Sequence, residues 1–287
     1  MTVHIRPAQP SDAEACGRII HDAFKAIAER HNFPPDFPDV KTATELARAF
    51  VAHPAIYGVV AEADGRVVGS NFLSEGDPIR AVGPITVDPR RQDNGVGKQL
   101  MKAVIERGRG SAGIRLLQAG YHMRSLSLYA SLGFEVREPV VVMSGRPKSA
   151  PVNGAAVRRM TAADVASCDA LYQRVHGISR ANEIADAVRM FTPVVLERDG
   201  RIAGYLTHPS VWLMNHGVAE SDDNMKALLL GAAALQAEPL SFLLPTRQSG
   251  LFRWCLAEGL QSVMPMTLMT MGQYKTPAGS YMPSVLY

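Results

Sequence analysis

The feature that most constrains this chain is a repeat inside it. Val3-His4-Ile5-Arg6, followed by Asp12 and Cys16, resembles Ala156-Val157-Arg158 followed by Asp164 and Cys168, at an offset of 152. Glu62-Ala63-Asp64-Gly65-Arg66-Val67-Val68-Gly69 resembles Glu197-Arg198-Asp199-Gly200-Arg201-Ile202-Ala203-Gly204, at an offset of 135. Tyr129-Ala130-Ser131-Leu132-Gly133-Phe134 resembles Cys255-Leu256-Ala257-Glu258-Gly259-Leu260 at 126, and Pro139 and Met143 match Pro265 and Met269 at the same offset. A common Asp-Gly hairpin turn explains the middle block alone. Three blocks in one order point to two copies of a single fold, the second shorter.

At roughly 100–200 residues per domain, 287 residues accommodate two copies. The stretch 146–154 holds two prolines, a glycine and no apolar period, and reads as a linker. The expected organisation is therefore a domain over 1–145, a linker over 146–154 and a second domain over 155–287. Apolar residues at 47% and charged residues at 20% suit an ordinary buried core. The apolar run Ala227–Leu235 is far short of the roughly 20 residues that span a bilayer, and the first residues lack the pattern of a secretory leader. Three dispersed cysteines, Cys16, Cys168 and Cys255, suggest neither a disulfide framework nor a metal centre, and fit a reducing cytoplasm. The net charge is +3, with 18 basic and 16 acidic residues through Arg146 and 12 and 11 beyond it. That balance argues against nucleic acid as a partner.

The first copy reads as β-α-α-β-β-β-α-β-α-β. Val3–Arg6 is a strand, and a helix capped by Ser11 or Asp12 follows. His31–Val40 is a proline-rich loop, Thr44–Ala52 a helix, and Ile56–Ala61 with Arg66–Phe72 a hairpin. Ala81–Val87 is a strand, Gly95–Arg107 an amphipathic helix, Ile114–Ala119 a buried strand, Arg124–Leu132 a helix and Phe134–Met143 a strand.

The stretch from Ile85 to Met101 carries the chemistry. A strand stops at Asp88-Pro89, a polar turn follows, and a helix opens near Gly95. Unpaired N–H groups and the positive end of the dipole make such a start an anion site. Gly95 and Gly97 let the backbone approach an anion, and Arg90, Arg91 and Lys98 add positive charge. The spacing fits neither a Walker loop nor the dinucleotide fingerprint.

Gln92-x-x-Gly95-x-Gly97 resembles the Q/R-x-x-G-x-G/A acetyl-CoA motif of the GNAT superfamily of N-acetyltransferases, and Val87-Asp88-Pro89 before it is typical of that family. Leu128-Tyr129-Ala130-Ser131-Leu132-Gly133-Phe134 resembles its L-Y-x-x-x-G-F block. The likeness covers residues 1–145 and reaches the second half only through the repeat. It implies two tandem α/β folds of the acyl-CoA N-acyltransferase type, each a mixed, mostly antiparallel sheet flanked by helices. It also implies transfer of the acetyl group of acetyl-CoA to a primary amine. A small-molecule acceptor is preferred because a second domain would narrow the cleft, and oligomerisation stays open.

By this resemblance Ile85, Thr86 and Val87 pair with the pantetheine and acetyl group, the Val87 N–H polarises the thioester carbonyl, and Gln92, Asp93, Asn94, Gly95, Val96, Gly97 and Lys98 hold the pyrophosphate. Tyr129 matches the proton donor to the leaving thiolate; a phenol suits that role at neutral pH. His122 stands where many members carry asparagine. Glu75, or Asp77, is a candidate base just before the strand.

In the second copy the phosphate turn becomes Asn215 to Met225. Its glycine spacing is lost, and Glu220, Asp222 and Asp223 would repel a pyrophosphate. Cys255 replaces Tyr129. The second copy is thus expected to be degenerate and non-catalytic. The alternative for the whole chain is a non-catalytic acyl-CoA sensor.

Overall fold

A computed structural model describes residues 3–92 and 94–286. The chain divides into two compact units, residues 1–116 with 121–135 and residues 117–120 with 136–287. These units do not coincide with the two copies of the repeat.

In chain order the first unit holds β1 (His4–Pro7), α1 (Ala13–Arg30), α2 (Val40–Ala52), β2 (Ile56–Ala63), β3 (Arg66–Ser74), β4 (Ile79–Val82), β5 (Thr86–Val87), α3 (Val96–Arg107), the start of β6 (Gly113–Ala119) and α4 (Met123–Ser131). Its sheet runs β1-β2-β3-β4-β6, antiparallel except for the β4–β6 pair, with β5 also paired to β3. The Asp64-Gly65 hairpin has both residues at positive φ, 51° and 71°, the primed turn that matches strand twist. Ile20, Phe72, Leu73, Leu100 and Met101 are fully buried between helices and sheet.

Two elements differ from expectation. Helix α2 starts at Val40, a turn before Thr44, because the Asp39 side chain accepts the Thr42 N–H at 2.7 Å and caps it. The single strand expected over Ala81–Val87 is two. β4 pairs Val82 with Leu73, the chain bulges through Gly83-Pro84-Ile85, and β5 returns to β3 with Thr86 opposite Ser70. Ile85 therefore lies in the bulge and not in a strand.

The second unit begins with residues 117–120 and continues through β7 (Glu135–Gly145) from Val136, then β8 (Ala156–Arg159), α5 (Val165–His176), α6 (Ala181–Met190), β9 (Val194–Arg198), β10 (Arg201–Leu206), β11 (Gly217–Ala219), α7 (Asp222–Ala234), β12 (Leu240–Pro245), α8 (Ser249–Ala257), β13 (Gln261–Gly272) and β14 (Ser280–Met282). One sheet has the order β14-β11-β10-β9-β8; in the other, the end of β6 is followed by β13, β7 and β12. β13, the last strand of the second copy's repeat, thus pairs with β6, and β7, the last of the first copy's, pairs with β12. Gly120 donates to the Pro265 carbonyl at 2.8 Å, and β7 and β12 run antiparallel from Val140↔Pro245 to Gly145↔Leu240. The core is built on α7, with Leu228, Leu229, Phe242 and Leu244 fully buried.

The repeated residues make the same contacts twice. Arg6 clamps Asp12 through two bonds of 2.7 and 2.9 Å and reaches Glu62 at 2.8 Å. Arg158 clamps Asp164 through two bonds of 2.8 Å and reaches Glu197 at 2.9 Å. Each aspartate also accepts a backbone N–H three residues earlier, Gln9 at 2.8 Å and Thr161 at 2.7 Å. No helix among the described residues is long and apolar enough to cross a membrane.

The arginine hydrogen bonds hold both aspartates below the usual carboxylate range. A depressed pKa contributes stability that is present above the unfolded value and lost as pH falls through the folded one. Asp12→Asn should therefore lower unfolding free energy by about 1–3 kcal/mol at pH 7 in urea titrations, and the deficit should shrink below about pH 4.

Candidate active site

A cavity of about 310 Å³ opens in the first unit where four pieces of chain meet. Helix α1 supplies Ala23, Phe24 and Ile27, the β5 segment supplies Ile85, Thr86 and Val87, and the α3 start supplies Gln92, Gly95, Val96, Gly97 and Lys98. The α4 segment supplies His122, Arg124, Ser125, Leu128 and Tyr129. The structure thus brings together the residues of the two sequence blocks, with Asn94 beside them in the turn. Asp93 lies outside the described residues.

The strand edge has a defined polarity. Asp88 donates to the Val68 carbonyl at 2.9 Å, so the 88/68 pair is hydrogen-bonded and the Val87/Gly69 pair is not. The N–H and C=O of Val87 therefore point away from β3. The Val87 carbonyl accepts Gln92 Nε2 at 3.3 Å, which ties the turn to the strand end.

The start of α3 presents backbone N–H groups at the cavity. Gly95 sits at φ 72°, a left-handed conformation that glycine adopts freely, and no side chain caps the helix. The first helical bond runs from Gln99 N to Gly95 O at 3.1 Å, so the N–H groups of Val96, Gly97 and Lys98 have no helical carbonyl to meet. A Cβ on Gly97 would meet Leu128 and Val87 only at 3.7 and 3.8 Å, so the protein itself tolerates alanine there. Of the charges expected nearby, Lys98 lines the cavity, whereas Arg90 is held by Asp88 at 2.9 and 3.1 Å.

Tyr129 is buried on α4, and burial pushes its phenol up to about 12, partly opposed by a hydrogen bond with Ser125. His122 is half-buried at the start of α4, with Nδ1 2.5 Å from Ser125 Oγ. Burial, then His31, Arg124 and Arg30, hold its pKa below the ordinary histidine value. Glu75 does not line the cavity. Its carboxylate takes Arg107 Nε and Nη2 at 2.9 and 3.0 Å, at the far end of α3, about 15 Å along the helix from Gly97.

Asp36 is a carboxylate that the sequence did not single out. It sits half-buried in the proline-rich loop between Phe33, stacked on Tyr121 at 4.3 Å, and Phe37, packed edge-on to the cavity residue Phe24 at 5.7 Å. Burial pushes its carboxyl up to about 6. The flanking phenylalanines were the available signal, since apolar anchors on both sides draw a loop carboxylate out of water.

The second copy is arranged differently at the matching places. Ser221 Oγ accepts the Asn224 N–H at 3.2 Å and caps α7. β14 pairs along β11, with Val218 opposite Tyr281. Gln248, which matches His122 at offset 126, donates to the Tyr281 carbonyl at 2.7 Å and accepts its N–H at 2.9 Å. Cys255 is fully buried, and burial pushes its thiol up to about 12.

Residues 21–134 match the Acetyltransferase (GNAT) family. No curated protein matches the chain. Among solved structures, a putative acetyltransferase from Pyrococcus horikoshii is similar over 97% of this chain and 94% of its own, with a TM-score of 0.74 and 19% identity. A GCN5-related N-acetyltransferase from Sphaerobacter thermophilus is similar over 96% of both chains, with a TM-score of 0.59 and 16% identity. A tandem GNAT protein from the clavulanic acid biosynthesis pathway is similar over 99% of this chain and all of its own, with a TM-score of 0.59 and 15% identity. At such identities the likeness is one of fold. The architecture is that of the acyl-CoA N-acyltransferases. The GNAT match is confined to residues 21–134, and the likeness to a tandem GNAT protein over 99% of this chain extends the fold, and the fold alone, to the second half.

Asp36 supplies a test of how the proline-rich loop docks beside Phe24. A carboxyl raised in the folded state contributes stability that is present at low pH and lost as pH rises through its folded value of about 6. Asp36→Asn should raise the Tm at pH 8 and leave it nearly unchanged at pH 4.5, read by thermal unfolding at both.

Proposed function

We propose that this protein transfers the acetyl group of acetyl-CoA to a primary amine in the first-unit cavity. The observation that carries this reading is that a single cavity joins the uncapped α3 start, the outward-facing edge of β5 and the buried phenol of Tyr129. The N–H groups of Val96, Gly97 and Lys98 suit a pyrophosphate, with Gln92 bracing the turn. The Val87 N–H is aimed to polarise the thioester carbonyl and to stabilise the oxyanion that forms there. A neutral amine attacks the thioester carbon, the C–S bond breaks, and Tyr129 protonates the leaving sulfur. Burial keeps that phenol protonated across the neutral and alkaline range.

The acceptor on this reading is a small-molecule amine, which the acceptor panel below tests. The glycine-poor, capped start of α7 and the occupied edge of β11 support a second copy that binds no acetyl-CoA. On this reading residues 1–145 carry the catalytic copy, 146–154 the linker and 155–287 a non-catalytic one. Three free, buried cysteines suit a cytoplasmic protein.

Calorimetric titration with acetyl-CoA should give one site per chain; two sites would sink the reading of the second copy. Gly97→Glu, which sends a carboxylate toward the α3 start, should weaken binding by about 100-fold or more, whereas Gly97→Ala should stay within a few-fold. Tyr129→Phe should cut kcat by about 10²–10⁴-fold with little change in acetyl-CoA affinity. Turnover can be followed by CoA release with spermidine, tyramine, glucosamine and lysine as acceptors.

A further inference from the structure

We propose that His122, Ser125 and Tyr129 form one proton relay, which carries the proton lost by the acceptor nitrogen to the departing sulfur of CoA. The proposal rests on the acetyl-transfer reading above. All three side chains line one cavity. Ser125 Oγ lies 2.5 Å from His122 Nδ1. Ser125 and Tyr129 stand four residues apart on α4, which places them on one face of the helix. Ser125 is thus the link between a ring that can take a proton and a phenol that can give one. A hydroxyl is the group this position needs, because it donates and accepts at the same oxygen.

The groups facing His122 decide its charge. His31, at the end of α1, has its ring centroid 6.4 Å away, and Arg30 and Arg124 add positive charge from α1 and α4. Together with burial they keep the imidazole neutral at physiological pH. Glu75 is engaged by Arg107 and stands outside the cavity, so the relay also removes the need for that carboxylate as a base.

The relay balances as follows. The amine nitrogen bonds to the thioester carbon, and the C–S bond breaks with its electron pair on sulfur. The sulfur takes the Tyr129 proton, Tyr129 takes the Ser125 proton, and Ser125 takes the proton on His122 Nδ1. His122 Nε2 takes the surplus proton of the acceptor nitrogen. One proton has moved from nitrogen to sulfur, the imidazole has changed tautomer, and exchange with solvent after product release restores it. No oxidant, metal or second co-substrate is needed.

The test is Ser125→Ala in the full-length protein, with the fastest amine of the four-member panel and with basal acetyl-CoA hydrolysis as a second readout. The relay requires kcat to fall about 100-fold while acetyl-CoA affinity stays within about threefold. Ser125→Thr, which restores the hydroxyl, should recover most of the rate. His122→Asn should lower kcat and abolish the acid-side loss of activity, which in the wild type falls below the ordinary histidine pKa. Wild-type turnover in Ser125→Ala, or an unchanged acid limb in His122→Asn, would overturn the relay while leaving acetyl transfer intact. If Ser125→Ala fails to fold, His122→Asn decides by its pH profile. Absence of acetyl-CoA binding to the wild-type protein would instead remove the acetyl-transfer reading itself.

Discussion

Both units are organised by one ionic clamp. Arg6 joins the first strand, the turn that opens α1, and β2, since its guanidinium holds Asp12 with two bonds and Glu62 with a third. A planar fork meeting a carboxylate fixes direction as well as distance. That fixes how α1 leaves the sheet, and the second half of α1 forms one wall of the cavity. The Arg158 clamp does the same for α5. A lysine would supply the charge without the fork, so it would hold the helix less firmly.

The cavity depends on backbone N–H groups, those of Val87 and of the α3 start, for which the described residues supply no internal partner. The edge of β5 and the start of α3 are polar, close together and faced by an otherwise apolar wall of Ala23, Phe24, Ile27 and Leu128. Such a surface is costly unless water or a ligand satisfies it. In the second copy the same kinds of groups are satisfied from within, by Ser221 at the helix start and by β14 along the strand edge. The contrast between the copies is one of hydrogen-bond supply, made by a side-chain cap and by an added strand, β14.

Local patterns were legible in the sequence because local physics decides them. The Asp-Gly hairpins, the strand–turn–helix around Gly95 and the Gly133 stop all depend on residues within a few positions of each other. The repeat was equally legible, and the paired arginine clamps explain why Arg6, Asp12 and Glu62 recur as Arg158, Asp164 and Glu197. The bulge at Gly83-Pro84 was missed because Ala81–Val87 is apolar throughout and carries no break in period. The pairing of Glu75 with Arg107 joins residues far apart in sequence, and nothing local to Ser74–Pro78 announces it. Asp36 was missed although Phe33 and Phe37 flank it, because its burial depends on where those two rings dock.

The order of the strands around β13 carries a consequence for synthesis. The end of β6 meets β13, and β7 meets β12, so strands made early wait for partners made late. On the ribosome the first copy of the repeat emerges with part of its last ladder unmatched, and stays so until nearly the whole chain has followed. Expression of either copy alone would leave an apolar strand edge exposed, which invites aggregation. The two copies are joined by hydrogen-bonded strands as well as by the linker, and recombination that exchanges one of them would have to preserve that late closure.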